Sequence, residues 1–141
     1  MDDELIWWCV MATRAACVRM TARHPKALQD CVEQACCLQA RFAWDHRAAT
    51  HVQVINLLAD VAADHPVPAL VLAEAVGTLY DLMVAVGPAA DGMINSSRHR
   101  LLALIRAGDA EGAAAEMEHH LRGLRFMARL AGMAEADGIA V

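Results

Sequence analysis

Apolar side chains recur along most of the chain at the three- and four-residue spacing of an amphipathic α-helix. The pattern is clearest in the last third, where two such stretches flank a short turn at 107–109. Glycine is favoured just after a helix and aspartate at the N-cap of the next one, so Gly108 and Asp109 predict a helical hairpin. The inward stripes of the two helices are Ile94, Arg98, Leu101 and Ile105, then Ala113, Met117, His120, Leu124 and Met127.

The same spacing predicts three helices in the first part of the chain. The first covers residues 4–22 and ends at Arg23-His24-Pro25, because the residue before a proline leaves helical space. The second begins near Lys26. No glycine or proline separates it from the third. We place a break near Arg41, because one helix over residues 26–62 would be long for a globular domain.

The third helix has an inward stripe that includes a basic side chain. His51 lies among the apolar residues, and Arg47 precedes it by one turn. A break at residues 64–68 then starts the fourth helix with proline in its first turn, and Gly87-Pro88 ends that helix. Past Gly132 we expect a short, frayed tail. The stripe of the third helix is Trp44, Ala48, His51, Ile55 and Leu58.

Composition supports this helical pattern. Apolar residues make up 57% of the 141 residues, alanine is abundant, and glycine and proline are few. This length and composition predict one domain, residues 1–141, folded as an all-α antiparallel bundle of about six helices. Aromatic residues are only 4% of the chain, so the core must be built from leucine, valine, methionine and alanine.

The charge pattern excludes two classes of partner. The net charge is −5, there is a single lysine, and the arginines are scattered, whereas a duplex-binding surface needs clustered basic residues. We therefore expect no DNA binding by this chain alone. The most apolar run, residues 67–86, carries Glu74 and Asp81 seven residues apart on one helical face, which favours a core helix over a membrane span.

The cysteines indicate a reduced compartment. Their number is odd and no C-x-x-C pair occurs, so we expect a cytoplasmic protein in which they serve as small core side chains. The five are Cys9, Cys17, Cys31, Cys36 and Cys37.

Enzyme chemistry finds little support. Ser96-Ser97 lacks a nucleophile-elbow motif, and no histidine is evidently oriented toward a cysteine. Glu116-x-x-His119 matches half of a di-iron bundle motif, but the second copy is missing. We therefore expect a protein that is not an enzyme.

Four basic side chains from three helices face apolar seams. They are Arg47, His51, Arg98 and His120. Each by itself fits a hydrogen-bonded core residue or a side chain that reaches toward solvent. Together they predict a cationic ligand pocket in the centre of the bundle. Arginine pairs bidentately with carboxylate or phosphate, so the expected ligand is an organic acid.

The hairpin also carries a family resemblance, which extends helix by helix over about residues 5–131. In the hairpin it rests on Leu101-Leu102, Leu104-Ile105, Gly108-Asp109, Ala113-Ala114 and His120-Leu121, and in the first helix on Ala15-Ala16 to Thr21. These residues are similar to the closing motif and the first-helix pattern of the C-terminal ligand-sensing (FCD) domain of FadR-subfamily, GntR-type bacterial transcription regulators.

The resemblance implies a metal site that this chain only half retains. In many family members an aspartate, a histidine four residues later and two further histidines hold a divalent metal, which helps to bind a small carboxylate. The corresponding positions here are Arg47, His51, Arg98 and His120. Arginine cannot ligate a metal, and two histidines make a weak site, so we favour a metal-free pocket. A one-residue shift leaves a zinc, nickel or manganese site of His51, His99 and His120 as the alternative.

The resemblance implies an effector-sensing and dimerisation domain. We expect a homodimer that binds a fatty acid, an acyl thioester or a small carboxylate such as a hydroxy acid or sugar acid. DNA would be bound only through the family's winged helix, which is not in this chain. A plain helical dimerisation module without a ligand is a further alternative.

Overall fold

The computed structural model describes residues 1–20, 24–37, 43–62 and 69–136. These residues form six α-helices and a short 3₁₀ turn at Pro88–Ala90, with no strand among them. The predicted all-α bundle is confirmed. The helices are α1 (Asp3–Arg19), α2 (His24–Cys37), α3 (Trp44–Val61), α4 (Ala69–Val86), α5 (Asp91–Arg106) and α6 (Ala110–Ala136).

Several predicted helix ends differ from the structure. Helix α1 stops at Arg19, three residues before its expected end. Helix α6 continues through Gly132 to Ala136, so the frayed tail expected after Gly132 is wrong there. An internal glycine costs a helix only about 1 kcal/mol relative to alanine, which packing can offset. The expected breaks at Arg23, Arg41 and 64–68 lie outside the described residues.

The α5–α6 turn has the predicted geometry. Gly108 adopts a positive φ of 72°, which a residue with a Cβ rarely adopts. Asp109 then caps α6, because its Oδ1 accepts a hydrogen bond from the backbone N–H of Gly112 at 2.8 Å. Gly112 leaves room for this cap, since a Cβ there would lie 2.8 Å from Leu104 Cδ2 and closer still to the Asp109 carboxylate.

Helix α6 is the element around which the bundle packs. It contacts α1, α4 and α5. Arg14 of α1 pairs with Glu111 near the start of α6 at 2.8 Å, and Arg125 further along α6 pairs with Asp3 at 2.7 Å. Helices α1 and α6 therefore run in opposite directions. The short turn at Gly108 makes α5 antiparallel to α6 as well.

The core is aliphatic, as the composition predicts. Its side chains come from all six helices, and one charged residue, Arg98, is buried among them without measurable exposure. The largest fully buried apolar side chains are Ile6, Leu28, Leu58, Leu79, Met83, Ile94, Leu101, Met117, Leu121 and Leu124.

The described cysteines behave as core thiols. Cys9 and Cys17 are buried, Cys31 is partly buried, and all three are free. Burial raises the pKa of the Cys9 thiol to about 11. The side chains of Cys36 and Cys37 lie outside the described residues.

No single helix in the described ranges is both long and apolar enough to cross a membrane. Taken together, the segments Leu70–Val86 and Pro88–Arg106 would be long and apolar enough, but the chain bends by 102° between them.

The N-cap of α6 provides a test of the hairpin. We expect Asp109→Ala to lower the free energy of unfolding by about 1 kcal/mol, because the Gly112 N–H loses its side-chain acceptor. Asp109→Asn, which can still cap, should stay close to the wild type. Urea denaturation followed by circular dichroism measures both, and equal stability of the two variants would contradict the assigned cap.

Candidate functional site

Arg98 lies at the centre of the candidate site. Its position on α5, between Ile94 and Leu101 on the inward stripe, carries the guanidinium into the core. Its Nη2 donates to the backbone carbonyl of His51 on α3 at 3.4 Å. The same charge reaches two histidines, because it lowers the pKa of both His51 and His120.

Asp91, at the first residue of α5, binds two of the predicted basic residues. Its Oδ2 forms an ion pair with Arg47 Nη2, and its Oδ1 lies 3.2 Å from His51 Nε2. One carboxylate therefore joins the start of α5 to α3. Because Arg47 and His51 are one helical turn apart, both can reach the same carboxylate.

Trp44 holds the outer part of this arrangement in place. Its indole Nε1 donates to the carbonyl of Met83 on α4 at 2.7 Å. The guanidinium carbon of Arg47 lies 5.2 Å from the centre of the Trp44 rings, within cation–π distance. Arg47 is thus fixed between an aromatic face and a carboxylate.

His120 is the least satisfied member of the site. It is 2% exposed, and neither of its ring nitrogens has a hydrogen-bond partner among the described residues. Burial first and the charge of Arg98 second hold its pKa well below the usual range. A neutral imidazole still carries one N–H, and a buried donor without an acceptor costs about 1–3 kcal/mol.

Both buried histidines are neutral at pH 7. Burial and the Arg98 charge lower the pKa of His51 to about 4, although Asp91 acts in the opposite direction. The site then has two neutral imidazoles, two positively charged arginines (Arg47 and Arg98) and one negatively charged carboxylate (Asp91). Among these five side chains the positive charges therefore outnumber the negative ones by one.

The inward orientation predicted for all four basic residues is observed. Arg47, His51, Arg98 and His120 are each buried, and they come from α3, α5 and α6. Their role in binding a ligand stays a prediction. The structure adds Asp91, which the sequence interpretation missed, so Arg47 already has a partner.

Helical spacing could have identified Asp91. It lies seven residues before Arg98, which places both on one face of α5, with Asn95 between them. The Asn95 Oδ1 is also buried without a hydrogen-bond partner in the described part of the chain. An aspartate is common in the first turn of a helix because it interacts favourably with the helix dipole. Asp91 was therefore not recognised as part of a site.

The residues do not fit the metal site that the resemblance implies. His99 is exposed, whereas His51 and His120 are buried, so the three are not brought together. Across residues 1–20, 24–37, 43–62 and 69–136, no group of three histidine, cysteine or carboxylate side chains could hold a metal ion. The two arginines would also oppose a further cation.

Three open clefts in the described part lie away from this cluster. One of about 540 Å³ lies between α2 and α3, and two smaller clefts flank α1. None of the three is lined by Arg47, His51, Arg98 or His120. The central ligand pocket therefore stays a prediction.

In comparisons with known proteins, no family model, no curated protein and no solved structure matches this chain.

The neutral histidines predict loss of stability in acid. The unfolded chain takes up protons near pH 6.5, whereas folded His51 takes one up only near pH 4 and His120 stays neutral well below pH 6.5. The free energy of unfolding should therefore fall below pH 6.5, by about 1.4 kcal/mol per pH unit for each imidazole. Urea denaturation at a series of pH values between 7.5 and 5 measures this slope.

His119 supplies the matched control for that slope. His120→Gln should reduce the slope by about 1.4 kcal/mol per pH unit, because one titrating group is removed. His119→Gln is the control, because it removes an exposed imidazole next to His120 and leaves the buried ring in place. An unchanged slope in His120→Gln would show that His120 can be protonated inside the folded protein.

Proposed function

We propose that this chain is the effector-sensing and dimerisation domain of a FadR-like, GntR-type transcription regulator that binds an acidic metabolite. The all-α bundle is compatible with this proposal, and the resemblance in the α5–α6 hairpin supports it. DNA contact would belong to the family's winged-helix domain, because the net charge of this chain is −5. We place the protein in the cytoplasm, in agreement with the three described cysteines, which are free.

The observation that carries the proposal is the buried, unsatisfied ring of His120. An oxygen of an anionic ligand would accept the N–H that has no acceptor in the described structure. Arg98, whose charge acts on His120, would supply the countercharge. A carboxylate provides both an acceptor and a charge, so it satisfies two needs of the site at once.

Ligand binding would act through helix packing. The acid would contact α5 through Arg98, α6 through His120 and α3 through His51, so it would hold three helices in one arrangement. Only a ligand that binds one arrangement better than another can shift the balance between them. In the regulator, that shift would alter the spacing of two DNA-binding heads.

A second copy of the chain is the partner that dimerisation requires. Phe126 and Leu130 are exposed, and their four-residue separation places them on one face of α6. An exposed apolar pair of this kind suits a contact between identical helices. The same pair would serve the alternative of a plain dimerisation module, which needs no ligand.

Isothermal titration calorimetry with decanoate, decanoyl-CoA, lactate and gluconate tests the proposal. For an acid that binds, Arg98→Met should weaken affinity about 100-fold, because the buried anion loses its countercharge. His120→Gln should weaken it less, since an amide can still donate. Circular dichroism establishes that each variant is folded.

Arg129→Met is the matched control, because it removes an exposed arginine from α6. It should bind the acids like the wild type. Equal binding by Arg98→Met would rule out direct recognition of the acid by this guanidinium. Arg98→Lys keeps the positive charge but removes the planar, bidentate guanidinium, so it shows which of the two the acid requires.

Metal content distinguishes the proposal from the three-histidine alternative. We expect elemental analysis of protein purified without a metal-affinity step to find far less than one zinc, nickel or manganese per chain. About one metal per chain, lost in His99→Gln, would instead favour a metal-dependent carboxylate sensor. His119→Gln is the control, since it removes a neighbouring exposed imidazole.

A further inference from the structure

The carboxylate of Asp91 resembles the ligand that the site would bind. It is a carboxylate held by a guanidinium and an imidazole, through the ion pair with Arg47 and the 3.2 Å contact with His51 Nε2. These are the group types that would recognise a carboxylate from solution. The protein therefore already places one carboxylate of its own at the edge of the cluster.

Exposure places Asp91 on the outside of the cluster. Its side chain is 25% exposed and that of Arg47 is 10% exposed, whereas His51 and Arg98 are fully buried. The ion pair is thus the part of the cluster nearest to solvent. Asp91 is the more exposed of the two partners, so an anion that arrives from solvent meets the cluster on this side.

Asp91 lies at a junction between two helical segments. It begins α5 directly after the Pro88–Ala90 turn, and Gly87 precedes that turn with a φ of 85°. The residue before it, Ala90, provides no side-chain cap for α5. The Asp91 carboxylate therefore joins the first turn of α5 to α3.

The geometry points to Asp91 as a built-in competitor for His51: an acid held by Arg98 and His120 reaches His51, as the proposed function requires, only by displacing the Asp91 carboxylate from His51 Nε2 and Arg47. This inference rests on the proposed function and adds its regulation. Displacement detaches the first turn of α5 from α3. It also raises the acid concentration at which the site fills, because the ligand must compete with a carboxylate that is always present.

Calorimetry with decanoate and gluconate on the full 141-residue chain tests the competition. Asp91→Asn keeps the shape of the side chain and removes its charge. It should bind the acids about tenfold more tightly than the wild type, which is within the usual range for coupling between sites. Asp81→Asn is the control, because it removes an exposed carboxylate from α4, and it should change nothing.

Hydrogen exchange on the wild type gives a second readout that needs no variant. On saturation with the acid, the amides of residues 91–94 should exchange faster, because Asp91 has been released, while those near His120 should exchange more slowly. A rigid structural ion pair would give slower exchange at both places. That result would overturn the inference even if Asp91→Asn failed to fold.

The outcomes separate this inference from the proposed function. Acid binding by the wild type, with equal or weaker binding by Asp91→Asn, would overturn the competitor and leave the acid sensor standing. Tighter binding by Asp91→Asn would support both. If neither protein bound any of the acids, the acid sensor would be overturned, and the competitor with it.

Discussion

The guanidinium of Arg98 stays protonated at every ordinary pH, so its burial in an apolar bundle obliges the surrounding groups to stabilise a permanent positive charge. The centre of the molecule reflects that requirement. A backbone carbonyl of α3 accepts a hydrogen bond from Arg98, and the two nearby histidines are kept neutral. The Asp91 carboxylate binds the second arginine of the cluster, Arg47.

The same charge bears on the choice between a metal and an organic acid. A divalent ion beside Arg98 would experience repulsion that few ligands could offset in a poorly solvated core. An anion in that place would be attracted instead, and neutral imidazoles could donate to it. Electrostatics therefore favours an acid over a cation, independently of the family resemblance.

Helical periodicity was enough to predict the class of fold and the burial of the site residues. The stripes on α3, α5 and α6 have a regular spacing, so Arg47, His51, Arg98 and His120 could be placed on inward faces before any packing was known. The ion pair with Asp91 could not be predicted in the same way. It joins residues 44 positions apart, and its existence depends on how the start of α5 meets α3.

Helix ends were harder to predict than helix faces. Gly108 ends α5 because a positive φ is needed there, whereas Gly132 lies inside α6, where the helix passes through it. The residue type is the same in both places. The N-cap residue that follows, Asp109, distinguishes the first glycine from the second, so here the turn depends on the glycine and its neighbour together.

The tight connection at Gly108 also has a kinetic consequence. Arg98 and His120 lie on opposite sides of that turn, ten and twelve residues from Gly108, so they can meet through contacts that are local in sequence. Local contacts form early in folding, whereas those between α3 and α5 require closure of a longer loop. The cationic centre should thus begin to assemble within the hairpin, with His51 and Arg47 docking onto it afterwards.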